Sequence, residues 1–238
     1  MGENVMARRD HGGAGICAPA DRVTKSLLGY GVVAGPFYVG VVLIQAVLRP
    51  GFNLSRDDAS LLSNGSFGWI QMTNFILTGV MVICCAFGVR RALQGGRGAT
   101  WGSDLLGLFG IGMIAAGIFV ADPMNGFPAG APAGHPVELT LHGMLHIASA
   151  AIGFVGLIAA CFVLGSRLSS DGNRRLAIAS RATGVTFFAG FVGVASGSSS
   201  PAVVAAFWVA LLAAWGWLAA LAVHLYRQAA SGHDFRHN

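Results

Sequence analysis

Apolar residues gather along this chain in six long runs, with short polar or glycine-rich stretches between them. The runs lie at 26–48, 66–89, 104–121, 141–164, 182–197 and 201–226. An α-helix rises about 1.5 Å per residue, so about 20 residues cross the apolar core of a membrane. Polar and apolar residues do not alternate within the runs, as they would in the strands of a membrane barrel. The pattern predicts an all-α integral membrane bundle of six transmembrane helices.

The composition supports a membrane protein over a soluble one. Hydrophobic residues make up 54% of the chain and charged residues 11%, whereas a soluble domain carries about 25% charged residues. The net charge is +5, but the basic residues flank the apolar runs and form no single patch. Nucleic acid is therefore not an expected partner.

The positions of the basic residues predict how the helices are oriented. If the N-terminus is cytoplasmic, all the basic residues except Arg49 and Arg56 fall on the cytoplasmic side. Lys and Arg are enriched in cytoplasmic connections, so we expect both termini to be cytoplasmic. The expected location is a bacterial-type cytoplasmic (inner) membrane. The transmembrane domain would span 26–226, between disordered cytoplasmic tails at 1–25 and 227–238.

With this orientation, polar side chains from several helices reach one level near the outer surface. These are Gln45, Gln71, Asn74, Ser149 and Ser196. Polar residues inside a membrane usually face the bundle interior or a wet cavity. We therefore expect a polar pocket open to the outer leaflet, with membrane lipid or a hydrophobic small molecule as its partner. The alternative is that these side chains only form hydrogen bonds between helices.

The outer end of helix four carries His142 and His146, one helical turn apart. Side chains at this spacing lie about 5–6 Å apart and can chelate one metal ion. Asp122 is the natural third ligand for zinc or another divalent transition metal. Such a metal would activate water for hydrolysis, with Glu138 or Asp58 as the general base. Alternatively, the histidines are structural, contact a ligand or relay protons.

Three functions follow from these features. The first is binding or handling of a lipid-like or hydrophobic small molecule in the outer pocket. The second is a metal-dependent intramembrane hydrolase, and the third is a proton-coupled transporter of small solutes. A transporter needs polar residues through both leaflets, and the inner half of the predicted bundle has few.

Three segments resemble a known family: "RPGFNLSRDDASLLSNGSFGWIQMTNFILTG", "GIGMIAAGIFVADPMNGFP" and "LHGMLH". They are similar to the multi-pass membrane family known as domain of unknown function 998, over about residues 26–226. The motif positions matched are Gly68, Trp69, Gln71, Asn74, Asp122, Pro123, His142, Gly143 and His146. This chain has "RDDAS" where a proline would be expected after the arginine, which leaves the role of Asp57 and Asp58 open. The resemblance implies the architecture and no reaction.

Overall fold

The computed structural model describes residues 19–198 and 200–231, and every regular element in these ranges is a helix. The six long helices are α1 (Pro19–Leu48), α2 (Gly68–Ala92), α3 (Arg97–Ile118), α4 (Leu141–Ser170), α5 (Arg174–Ala195) and α6 (Pro201–Ser231). A short 3₁₀ helix, Ala59–Ser63, lies between α1 and α2. All six long helices are long and apolar enough to cross a membrane. The predicted six-helix membrane bundle is confirmed.

Several helices extend beyond the apolar runs that predicted them. Helix α5 begins at Arg174 rather than at 182, because the Asn173 side chain accepts a hydrogen bond from the Leu176 N–H at 3.3 Å and caps it. Helix α1 begins at Pro19 and α6 continues to Ser231, so parts of both predicted tails are helical. The rest of those tails, 1–18 and 232–238, lies outside the described residues.

The helices form a closed ring. Each packs against its neighbours in sequence, α1 also packs against α6, and α2 touches α6 across the ring. Successive helices run antiparallel: in α1 and α2, for example, Leu28 lies beside Gly88 and Gln45 lies beside Gln71. We call the end that carries the α1–α2, α3–α4 and α5–α6 connections the loop end, and the opposite end the terminal end.

Glycines let α2, α3 and α4 approach closely. A Cβ at Gly79 would lie 2.6 Å from the Gly110 carbonyl oxygen, and one at Gly110 would lie 2.7 Å from that of Gly79. Similarly, a Cβ at Gly112 would lie 2.7 Å from the Cα of Gly153. Small residues at helix crossings of this kind are typical of membrane bundles.

The α1–α2 connection folds against the helices at the loop end. Leu61 and Leu62 of the 3₁₀ helix are buried. The Arg49 guanidinium donates hydrogen bonds to the carbonyl oxygens of Leu62 and Asn64. It also lies 4.8 Å from the ring centroid of Phe127 in the α3–α4 connection. The two connections thus hold each other in place, and the 3₁₀ helix is fixed above the bundle interior.

Candidate functional site

A cavity of about 590 Å³ occupies the loop-end half of the bundle. All six long helices, the 3₁₀ helix and the α3–α4 connection contribute to its wall. Its aromatic lining comprises Tyr38, Phe75, Phe109, Phe154, Phe191, Phe207, Trp208 and Trp215. Its ionisable and hydroxyl lining beyond Tyr38 comprises Asp58, Ser60, Asp122, His135 and His146. The polar groups come from the loop end, so the cavity has a polar end and an aromatic body.

The aromatic body is a set of rings in mutual contact. Trp215 of α6 lies 5.4 Å from Tyr38 and 5.9 Å from Phe109, measured between ring centroids. Phe154 of α4 lies 5.9 Å from Phe207. Ring pairs at these separations attract one another beyond the burial of their area, which gives the cavity a firm apolar wall.

His146 of α4 is the most connected polar side chain at the polar end. The residue is 4% exposed. Its Nδ1 lies 2.7 Å from the Phe119 carbonyl oxygen and 3.0 Å from that of Ala116. These carbonyls belong to the end of α3, where helix geometry leaves them without intrahelical partners. Because a carbonyl only accepts, Nδ1 must carry a proton and donate it.

The other ring nitrogen of His146 faces Ser60. Its Nε2 lies 3.0 Å from the Ser60 Oγ. In the neutral imidazole, a proton on Nδ1 leaves a lone pair on Nε2. The Ser60 hydroxyl therefore donates to Nε2, and the 3₁₀ helix is joined to α4 through this bond.

Asp58 caps the 3₁₀ helix and lines the cavity beside this pair. Its Oδ1 accepts a hydrogen bond from the Ser60 N–H at 3.0 Å. Burial raises the pKa of the Asp58 carboxyl, and hydrogen bonds from backbone N–H groups oppose that shift. Burial dominates because a carboxylate loses more by leaving water than a neutral carboxyl does.

Asp122 has a structural role at the start of α4. Its carboxylate accepts hydrogen bonds from the Thr140 N–H at 2.9 Å and from the Thr140 hydroxyl at 2.6 Å. Thr140 in turn accepts from the Gly143 N–H at 3.0 Å and caps the helix. A Cβ at Gly143 would lie 2.0 Å from the Asp122 Oδ2, so only glycine lets the carboxylate come so near.

The same cap places Glu138 outside the helix. Helix α4 begins at Leu141, three residues after Glu138. Glu138 lies in the preceding connection, is exposed, and is not part of the cavity wall.

The predicted metal ligands are not brought together. His142 is exposed and packs beside the ring of Phe119 at 6.0 Å, whereas His146 points inward to Ser60 and Asp122 is held by Thr140. Among the residues that the structure describes, no group of three His, Cys, Asp or Glu side chains could hold a metal ion. The predicted set of Asp122, His142 and His146 therefore has no geometric support as a zinc site.

None of the five side chains predicted for the pocket is part of the cavity wall. The Gln45 Nε2 donates to the Gln71 Oε1 at 2.8 Å, and the Asn74 Nδ2 donates to the same oxygen at 3.3 Å. The first of these bonds joins α1 to α2 in the bundle interior, and the second lies within α2. The hydroxyls of Ser149 and Ser196 donate to carbonyls of their own helix, each at 2.6 Å.

Sequence reasoning missed Ser60 and the aromatic wall. Ser60 lies in a connection without periodicity, and the only signal was the preceding Asp58, a residue type that caps helices. The aromatic residues of α3, α4 and α6 could not be told from ordinary core residues, because their arrangement around a cavity depends on how the helices pack.

Comparison with known proteins agrees with this architecture. A family model described as "Protein of unknown function (DUF998)" matches residues 32–224. Neither a curated protein nor a solved structure matches the chain. The matched range takes in nearly all of the helical bundle. The chain therefore belongs to the DUF998 family, a family of unknown function, and is a multi-pass membrane protein whose described residues form six apolar helices.

Proposed function

We propose that this protein binds an amphipathic, lipid-like molecule in the cavity at its loop end. The observation that carries the proposal is the cavity itself, about 590 Å³ with an aromatic body and one polar end. Small-molecule sites typically measure about 300–1,000 Å³ and combine apolar walls with a few polar groups that orient the ligand. The dimensions and the lining both fit that description.

Because the cavity wall has a polar end and an aromatic body, it predicts how the ligand is oriented. An acyl or other apolar chain would lie against the aromatic body, and the polar head would face Asp58, Ser60 and His146. Among the described residues of the wall there is no Lys or Arg. A head with hydroxyl or amine donors therefore suits this end better than a phosphate alone.

The predicted orientation in the membrane decides where the ligand comes from. If both termini are cytoplasmic, the loop end faces the outer leaflet, and the cavity would draw on membrane lipid or a hydrophobic small molecule from that side. The other two functions have less support. Within the described parts of the chain, no set of ligands is assembled for a metal-dependent hydrolase. The ionisable groups of the cavity cluster at the loop end instead of forming a path across the bundle.

The proposal is tested with a monoacylglycerol that bears a photoactivatable diazirine and an alkyne in its chain. Purified full-length protein in liposomes would be irradiated with this probe, and the labelled peptides identified by mass spectrometry. We expect labelling to concentrate on residues of the cavity wall in α4 and α6, where the chain would lie.

Two variants of α4 separate cavity labelling from labelling by surrounding lipid. Ala151 lines the cavity, whereas Ala148 is exposed on the same helix and is not part of the wall. Ala151→Phe should fill part of the cavity and lower the labelling of its wall several-fold, and Ala148→Phe should leave it unchanged. Equal labelling of all three proteins, or labelling spread evenly over exposed helix surfaces, would overturn the proposal.

A further inference from the structure

We propose that Ser60 and His146 form a nucleophile–base pair that cleaves an ester bond in the molecule held by this cavity. The inference rests on the proposed binding function and adds a reaction to it. It assigns the catalytic step to a serine in the α1–α2 connection and requires no metal ion.

The geometry of Ser60 and His146 fits a nucleophile and its base. A serine is activated when its hydroxyl lies within hydrogen-bond reach of a base that is itself held by a third group. The Ser60 Oγ lies 3.0 Å from the His146 Nε2. The third group is the pair of carbonyl oxygens of Ala116 and Phe119 on Nδ1. They fix the ring and the tautomer, so the lone pair of Nε2 points at the hydroxyl.

The hydroxyl of Ser60 has a different partner from those of other serines in the bundle. Several serine hydroxyls donate to a carbonyl three or four residues earlier in their own helix, as in Ser149, Ser166, Ser170, Ser180 and Ser196. That bond satisfies the hydroxyl and leaves it unreactive. Ser60 stands near the start of the 3₁₀ helix, and its hydroxyl is directed to an imidazole, the side chain best able to take up a proton near neutral pH.

The position of the pair in the cavity suits an ester substrate. Ser60 and His146 both line the cavity, at its polar end. In an amphipathic ester the carbonyl lies between the polar head and the apolar chain. A ligand with its chain in the aromatic body and its head at the loop end would bring that carbonyl to the boundary where Ser60 stands.

The reaction would proceed in two steps. The Ser60 Oγ attacks the ester carbonyl carbon, and its proton passes to the His146 Nε2. The bond from this carbon to the alcohol oxygen then breaks, and His146 gives the proton to the departing alcohol, which leaves an acyl group on Ser60. Water then attacks the acyl carbon and passes a proton to the His146 Nε2. The bond from this carbon to the Ser60 Oγ breaks, and His146 returns the proton to Oγ, which releases a carboxylic acid and free Ser60.

A fluorophosphonate probe tests the pair directly, because it forms a covalent bond with activated serines and spares ordinary ones. Full-length protein in detergent or liposomes would be treated with an alkyl fluorophosphonate, and the adduct located by peptide mass spectrometry. We expect an adduct on Ser60 that is absent from Ser60→Ala. His146→Asn should lower the rate of adduct formation about 100-fold or more, the usual contribution of a general base.

Ser149→Ala is the matched control. This serine lies on the same helix as His146, and its hydroxyl donates to the Leu145 carbonyl oxygen. It should label at the wild-type rate. A folded wild type with no adduct on Ser60, or an adduct that forms at an unchanged rate in folded His146→Asn, would overturn the inference. If His146→Asn does not fold, the wild-type protein and Ser60→Ala still decide, because either the Ser60 adduct forms or it does not.

The two proposals fail in different ways. Cavity labelling by the monoacylglycerol probe without any Ser60 adduct would leave the binding function standing and remove the cleavage. Loss of specific cavity labelling would remove the binding function, whatever the fluorophosphonate result.

Discussion

At the scale of single residues, two neighbouring carboxyl groups differ in their hydrogen-bond partners and in whether they line the cavity. Asp57 has no exposed surface, and its oxygens accept from the Arg56 Nε and from the Asn53 N–H, each at 2.9 Å. Asp58 lines the cavity, where burial raises the pKa of its carboxyl. A carboxyl whose pKa is higher in the folded than in the unfolded protein makes folding less favourable as the pH rises between those two values. Asp58 therefore costs stability at neutral pH.

We expect Asp58→Asn to stabilise the protein at pH 7 by on the order of 1 kcal/mol, a common size for a single substitution. The amide oxygen of the new side chain can still accept from the Ser60 N–H, but no charge is buried. The gain should shrink as the pH falls toward the ordinary carboxyl range, where wild-type Asp58 is protonated in both states. Thermal unfolding of Asp58→Asn and the wild type in detergent across pH 4–8 measures this difference in stability.

Asp57→Asn is the control for that substitution. It removes a carboxylate that bonds directly to a guanidinium and a backbone N–H, so it should destabilise by about 1–3 kcal/mol. A loss of stability in both variants would show that Asp58 is stabilising at neutral pH and would contradict the argument.

The sequence named several side chains of the polar end but not their partners. His146 and Asp122 stood out because ionisable residues in an apolar chain are costly. Their contacts with Ser60 and Thr140 join residues far apart in sequence, and no periodicity in one helix indicates them. The i, i+4 spacing of His142 and His146 suggested a shared metal. In the structure the His146 ring points inward and donates to carbonyl oxygens at the end of α3, whereas His142 is exposed.

At the scale of helices, hydropathy predicted which segments span but not where each helix ends. Caps and exposed turns set the ends, as Asn173 does for α5 and Thr140 for α4. The runs also gave no sign of which helices come closest. That depends on pairs of glycines facing each other across a crossing, as Gly79 and Gly110 do between α2 and α3.

This crossing gives a prediction for Gly79→Ala. The new methyl group would lie 2.6 Å from the Gly110 carbonyl oxygen and 2.7 Å from a side-chain carbon of Ile114. Because one of these is backbone, the helices must move apart, and we expect a loss of about 1–3 kcal/mol in the free energy of unfolding.

Gly107→Ala on α3 is the comparison, since its new Cβ would meet only the Cβ of Ala86, at 4.0 Å. It should be neutral or slightly stabilising, because alanine favours helix more than glycine does. Unfolding of both variants in the same detergent provides the measurement, and equal losses would argue against a close α2–α3 contact.

At the scale of the whole molecule, the two ends of the bundle differ in how many basic residues they carry. The two arginines at the loop end are engaged within the protein. Arg49 donates to carbonyls of the α1–α2 connection, and Arg56 pairs with Asp57 at 2.9 Å. Near the terminal end the basic residues are more numerous, including Arg90, Arg91, Arg97, Arg167, Arg174 and Arg175. Cytoplasmic connections carry such an excess, so we propose that the terminal end is cytoplasmic.

Cysteines introduced one at a time at the two ends test this orientation. The orientation also decides from which leaflet the cavity takes its ligand. Glu138 is exposed at the loop end and Ser170 is exposed at the terminal end. In intact bacterial cells, a membrane-impermeant maleimide should label Glu138→Cys but label Ser170→Cys only after the membrane is permeabilised. The wild-type chain supplies the background from its native cysteines. The reverse pattern would place the loop end in the cytoplasm, and any ligand of the cavity would then come from the inner leaflet.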